Sequence, residues 1–167
     1  MKELLQAIQA RITDNVTALK YVDEDWGQLD YYNNHPPVQW PCCLIDVGSV
    51  SWQNLSHKQQ QGTATITISI ATTKLTNTSS RAPATQREQA WAIHDVLQQV
   101  HQALHHYLPI PTCSMLYRKS SSRVRRDDGI QHYVLTYACT VIGNYINTTM
   151  VPGNTITAIS VTPLLLG

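Results

Sequence analysis

Charge is what this chain is short of. Asp, Glu, Lys and Arg make 14% of its 167 residues and nearly cancel, to a net +1, whereas soluble domains carry about 25% charged residues. So even a balance excludes a dedicated nucleic-acid coat. An apolar fraction of 43% excludes a disordered chain. Thr, Gln, Ser and Asn carry the polar surface instead. Interface cores are depleted of charge, so this surface suits a component of an assembly better than a freely diffusing enzyme.

Long apolar runs are missing too. No window approaches the roughly 20 apolar residues of a membrane helix. The start, Met1-Lys2-Glu3-Leu4-Leu5, lacks the uninterrupted apolar stretch of a signal peptide. The expectation is a protein made and used in a cytoplasm, with no membrane partner. Glycosylation sequons at Asn15, Asn54, Asn77 and Asn147 are then chance features of a Thr/Asn-rich chain. Cys42, Cys43, Cys113 and Cys139 contain no C-x-x-C spacing, so the usual zinc and redox signals are absent and buried free thiols are expected.

Catalytic signatures are likewise lacking: no G-x-S-x-G, Walker loop, G-x-G-x-x-G or H-E-x-x-H occurs. Carboxylates within regular elements are few. Asp14, Asp46, Glu88 and Asp95 form no acid/base pair by spacing. The expectation is a non-enzyme with no catalytic residue, no metal site and no cofactor.

What is present is strong periodicity. Leu4, Leu5, Ile8, Ile12, Val16 and Leu19 predict an amphipathic helix over residues 1–20. Residues 21–41 break it: Tyr21-Val22 suits a short strand, and Pro36, Pro37 and Pro41 predict a long ordered loop. A strand begins at Cys42 and runs to about Trp52, with a polar turn or loop over 53–60. Residues 62–73 are the clearest strand, Ala64, Ile66, Ile68 and Ile70 alternating with Thr and Ser. A capping box, Thr85 to Glu88, opens a second helix with an apolar stripe of Ala90, Ile93, Leu97, Val100, Leu104 and Tyr107. Residues 112–142 read as a hairpin turning at Asp128-Gly129. Both faces of its returning strand are apolar, which suits a strand covered on both sides. The fold class expected is α+β: an antiparallel sheet of about four strands, with the N-terminal helix and the long central helix on one face. That domain covers 1–143. A C-terminal extension, 144–167, forms a strand or packs on a neighbour, and Leu164, Leu165 and Leu166 near its end are candidate interface residues.

Three constellations stand out. His94, His101, His105 and His106 share a helix, but no third ligand type joins them, and a solvated or interface face is the expectation. Arg118, Lys119, Arg123, Arg125 and Arg126 fall within nine residues, interleaved with serines. Two readings of this run stand side by side: phosphate contact or a channel wall, and a hairpin edge defended by charge against strand pairing. No stacking aromatics accompany it in sequence. Asp23, Glu24 and Asp25 are its complement, and in a ring one subunit's acidic loop would meet the next subunit's basic arm.

The order of elements and several strings resemble the tail-terminator, or tail-completion, proteins of long-tailed bacteriophages and prophages, most of all prophage genes of Bacteroides-type bacteria. The resemblance covers residues 1–142. It lies in the first helix, in Trp26-Gly27-Gln28-Leu29-Asp30, in Pro37-Val38-Gln39-Trp40-Pro41-Cys42-Cys43-Leu44-Ile45-Asp46, and in the long helix followed by Arg125-Arg126-Asp127-Asp128-Gly129-Ile130. It implies a non-enzymatic ring, commonly a hexamer, built from an α+β fold with helices flanking a sheet. Such a ring caps the tail tube and faces the neck. Its implied partners are copies of itself, a tail-tube protein and a neck or connector protein, with DNA passing but not specifically bound. Its implied place is the host cytoplasm during assembly and then the virion tail. A head-to-tail connector, and a small nucleic-acid-binding module using 118–126, are the competing readings.

Overall fold

Leu4, Ile8 and Ile12 recur every fourth residue and form the buried stripe of helix α1 (Lys2–Asn15). The structure, a computed structural model, describes residues 1–30, 38–56, 59–73 and 77–144. After α1 come strand β1 (Tyr21–Glu24), a 3-10 turn (Gln28–Asp30), the long hairpin β2 (Cys42–Ser56) and β3 (Gln59–Thr73), helix α2 (Ala84–Leu104), and the hairpin β4 (Tyr117–Val124) and β5 (Ile130–Asn144). Among the described residues the sheet has five strands, in the order β1-β2-β3-β5-β4. It differs from the expected four-stranded antiparallel sheet in one element: β1 adds an edge strand parallel to β2, Tyr21 opposite Cys42. The short strand expected at Tyr21-Val22 is this element, two residues longer, and its pairing with β2 brings it into the sheet.

Both helices pack on the same sheet face, as expected. Ile8 and Ile12 of α1 and Ile93, Val100 and Leu104 of α2 share one core with Ile45, Ile66, Ile68, Ile70, Leu135 and Tyr137. Alternation places Thr65 and Thr67 on the opposite face. At one end of that face, Leu29, Cys42, Leu44 and Ala71 form a second small core with Tyr21, Val38, Trp40 and Ile130. Elsewhere on it, Ala138 is buried, Val134, Thr136 and Thr140 are half-buried and Ile142 is exposed. The returning strand is therefore well covered on the helix side, apart from half-buried Tyr133, and only partly covered on the other.

Three local expectations are corrected. β2 runs on to Ser56 and β3 starts at Gln59, so most of the polar 53–60 segment is paired strand: cross-strand pairing overrides a polar composition. The capping box does not form. Pro83 is the N-cap residue, no side chain caps, and Thr85 already lies inside α2; proline at this position pre-sets the backbone before the first turn. The buried stripe of α2 includes Val96 and Ala103, and Leu97 is half-buried. The stripe is rotated toward α1, which packs beside it. The extension 145–167, with Leu164, Leu165 and Leu166, lies outside the described residues.

Candidate functional site

The basic run forms β4, an edge strand whose eight residues are all exposed. Between Tyr117 and Val124 at its ends it is built from Ser, Arg and Lys alone, too little apolar surface to draw a helix over it. Arg118 and Arg123 are an odd number of residues apart, so strict alternation sends them to opposite faces. A bulge between Arg118 and Ser120 resets the register: Arg118 pairs with Tyr137 and Arg123 with Tyr133. Both guanidinium groups thereby join the helix-side face. Lys119 takes up the bulge and lies with its ammonium 4.7 Å from the centre of the Tyr117 ring.

Alongside these cations runs a row of aromatic and imidazole rings supplied by α2 and β5. Trp91 and His94 have ring centres 5.3 Å apart, as do His94 and Tyr133. Arg123 lies 5.8 Å from the Tyr133 ring centre. Further along, His101 Nδ1 is 3.2 Å from the Tyr137 hydroxyl, His101 and His105 are 4.8 Å apart, and His105 stacks on His106 at 4.2 Å. Burial lowers the His101 pKa, and the nearby Arg118 and His105 add to the shift. Burial pushes the Tyr137 hydroxyl up to about 12, so it keeps its proton. Rings that the basic run lacks in sequence are thus present beside it in space: Trp91 and His94 are exposed and Tyr133 half-buried, whereas Tyr137 is fully buried and only holds His101 in place. They are contributed from ten or more residues downstream on β5 and from the preceding helix. The signal that points to them is Trp91, His94, His101 and His105 recurring on one side of α2 opposite Tyr133 and Tyr137, which alternate in β5.

The remaining predicted residues divide. Arg125 is exposed just beyond β4. Arg126 is not available to a channel or a phosphate. Its side chain is only 8% exposed and is held by Asp128 at 3.2 Å, by Asp30 at 3.5 Å and by the Leu29 carbonyl, which accepts from Nη2 at 2.6 Å. It pins the 28–30 turn to the β4–β5 turn. Asp23 and Glu24 lie on β1, at the far edge of the sheet, with Asp25 next. Asp23 accepts from the Tyr21 hydroxyl at 2.7 Å and Asp25 from the Gly27 amide at 3.0 Å, while Glu24 is exposed. Four strand spacings, roughly 19 Å, separate the acidic edge from the basic edge, so the two do not meet within one subunit.

Other chemistry is sparse. All four cysteines are free and buried; burial pushes Cys42 and Cys139 up to about 12, which keeps them protonated and unreactive. Among the described residues no three His, Cys, Asp or Glu side chains gather as a metal site requires. A cleft of about 330 Å³ between α2 and the sheet end is lined by Ala90, Ile93, Val96, Gln89, Gln99 and Gln131, with Asp95 its one carboxylate among the described residues. No helix among the described residues is long and apolar enough to cross a membrane. Sequence reasoning missed the exposed tryptophans. Trp26, Trp52 and Trp91 are each about half exposed. Trp52 lies flat across two glycines: a Cβ at Gly62 would stand 2.8 Å from its ring and one at Gly143 3.2 Å.

No protein-family model and no curated protein matches this chain. Among solved structures, a chain of the "Virion of native gene transfer agent (GTA) particle" is similar to it with a TM-score of 0.48 and 14% identity, over 83% of this chain and 96% of that one.

Proposed function

We infer that this chain is a non-enzymatic structural subunit of a phage-like particle, one of a ring of copies that caps a tail tube and joins it to the neck. The observation that carries this reading is Trp52. From Gly48 to Leu55 the β2–β3 hairpin is exposed apart from a half-buried Val50, and at its centre an indole sits on Gly62 and Gly143, ready to meet a partner. Leu55, on the same strand, is 54% exposed. A large aromatic held in place before binding loses little freedom on contact, which is how interface anchors gain affinity. The low charge, the hydroxyl-rich outer face and the likeness of the strings at 26–46 and 125–130 to tail-terminator proteins support the same reading. Light scattering combined with negative-stain imaging of the purified protein tests it. A closed ring, lost or weakened in Trp52→Ala, is the expected result; a monomer at all concentrations refutes it.

The row of rings beside Arg118 and Arg123 favours a second reading, contact with passing nucleic acid. Its mark is steeply salt-dependent binding of duplex or single-stranded DNA that weakens in Arg123→Ser and Trp91→Ala. Normal binding in both variants rejects it.

A further inference from the structure

The two outer strands of the sheet carry opposite charge. β4 presents Arg118, Lys119 and Arg123, with Arg125 just past it, and no ion pair among the described residues involves any of them. β1 carries Asp23 and Glu24, with Asp25 following, against a single Lys20 before it. Local hydrogen bonds orient Asp23 and Asp25 without neutralising them. From these facts we propose that β4 of one copy pairs with β1 of the next, continuing the sheet head to tail across the subunit boundary.

An unpaired strand edge is a template for another strand. Ser120, Ser121 and Ser122 keep the middle of β4 free of bulk, so its backbone is open to approach. Just before β1, the Lys20 amide bonds the carbonyl of Pro41, the residue before β2. By alternation Tyr21 and Asp23 turn their backbone groups away from β2, toward the free side. Gln9 Nε2 bonds the carbonyl of Val22, and among the described residues no further backbone bond is made by Tyr21 or Asp23 on that side.

Charge decides which edges meet. Two β4 strands would set three cations against three cations, and two β1 strands would set acid against acid; like charges across a ladder are unfavourable. Only the mixed contact is matched. A contact between two different surfaces closes into a ring or runs on as a filament, so this pairing rests on the ring reading for closure. β1 is four residues long. The edge contact therefore selects partner and direction, while apolar anchors such as Trp52 add area.

The test is a charge exchange. One variant carries Arg118→Glu and Arg123→Glu, the other Asp23→Lys and Glu24→Lys, each checked for native circular dichroism. Each alone is expected to associate at least about tenfold more weakly than the parent protein. Mixed in equal amounts, they recover assembly, because every contact in an alternating arrangement is again matched. Native mass spectrometry then finds the two chains in equal numbers. If Asp23→Lys with Glu24→Lys does not fold, Glu24→Lys replaces it, since Glu24 is exposed and makes no side-chain hydrogen bond among the described residues. Parent-like assembly of either variant alone, or no recovery on mixing, overturns the edge pairing while leaving the ring reading intact. A parent protein that is monomeric at every concentration overturns both.

Discussion

Ile68→Ala tests the core most directly. Ile68 is fully buried on β3, between Ile45 of β2 and Leu135 of β5, themselves buried. The substitution removes three carbons, about 2.4 kcal/mol of transfer free energy at ~0.8 per carbon. A residual cavity of ~60 Å³ adds about 1.5 kcal/mol where neighbours do not collapse. The expected loss is about 3–4 kcal/mol, a large share of a domain stability of ~5–15 kcal/mol, with the protein still folded. Leu97→Ala, at a half-buried position on α2, is expected to cost about 1 kcal/mol, and Val96→Ala, fully covered, about 2 kcal/mol. Thr67→Ala, on the opposite sheet face, is expected to cost less than about 1 kcal/mol. Urea unfolding followed by circular dichroism, with unchanged slopes, measures all four. If Thr67→Ala costs as much as Ile68→Ala, the assignment of faces is wrong; if Leu97→Ala does, the rotation of α2 is.

Acid should weaken the fold. His101 and His132 have pKa values held below 6.5, by burial first and then by Arg118 and Arg126 respectively, with Asp25, Asp30 and Asp128 partly opposing at His132. Because the unfolded chain takes up their protons first, stability is full above pH 6.5 and falls as the pH drops from there through the folded pKa values. Urea midpoints between about pH 7.5 and 5 read this slope, and a slope unchanged in His132→Phe removes that residue from the account. Gly62→Ala puts a methyl 2.6 Å from Val50 Cγ1 and 2.8 Å from the Trp52 ring. It is expected to cost about 1–3 kcal/mol and to change tryptophan emission; an unaltered spectrum at parental stability contradicts the seated indole. Arg126→Ala removes the bonds to Leu29 and Asp128 and is expected to cost about 1.5–3 kcal/mol, with faster amide exchange over residues 25–30. Arg125→Ala is expected to stay within about 0.5 kcal/mol, and equal effects would mean that Arg126 pins nothing.

The long elements were legible because each hides one face. Ile66, Ile68 and Ile70 alternate and Leu4, Ile8 and Ile12 step by four, and these periods belong to strand and helix whatever surrounds them. The turn at Asp128-Gly129 was legible too: Gly129 has a φ of +75° and the Asp128 carboxylate accepts from the Ile130 amide. Boundaries were not legible. Gln59, Gln60 and Gln61 are strand because Asn144, Gly143 and Ile142 lie opposite them, and no local preference of glutamine says so.

The candidate site divides along the same line. Sequence by itself determined which residues bring charge: five cations on one hairpin and a run of three acids after the first helix. It could not say that Arg126 turns inward, that a bulge at Lys119 places Arg118 and Arg123 on one face, or that Trp91, His94 and Tyr133 line up beside them. Those facts depend on contacts between residues far apart in the chain, and pairwise contact is a property of the folded sheet. The separation of acid and base onto opposite edges is of the same kind. Composition counts charges, but strand order, β1 first and β4 last, decides whether they cancel within the chain or stand apart on opposite edges.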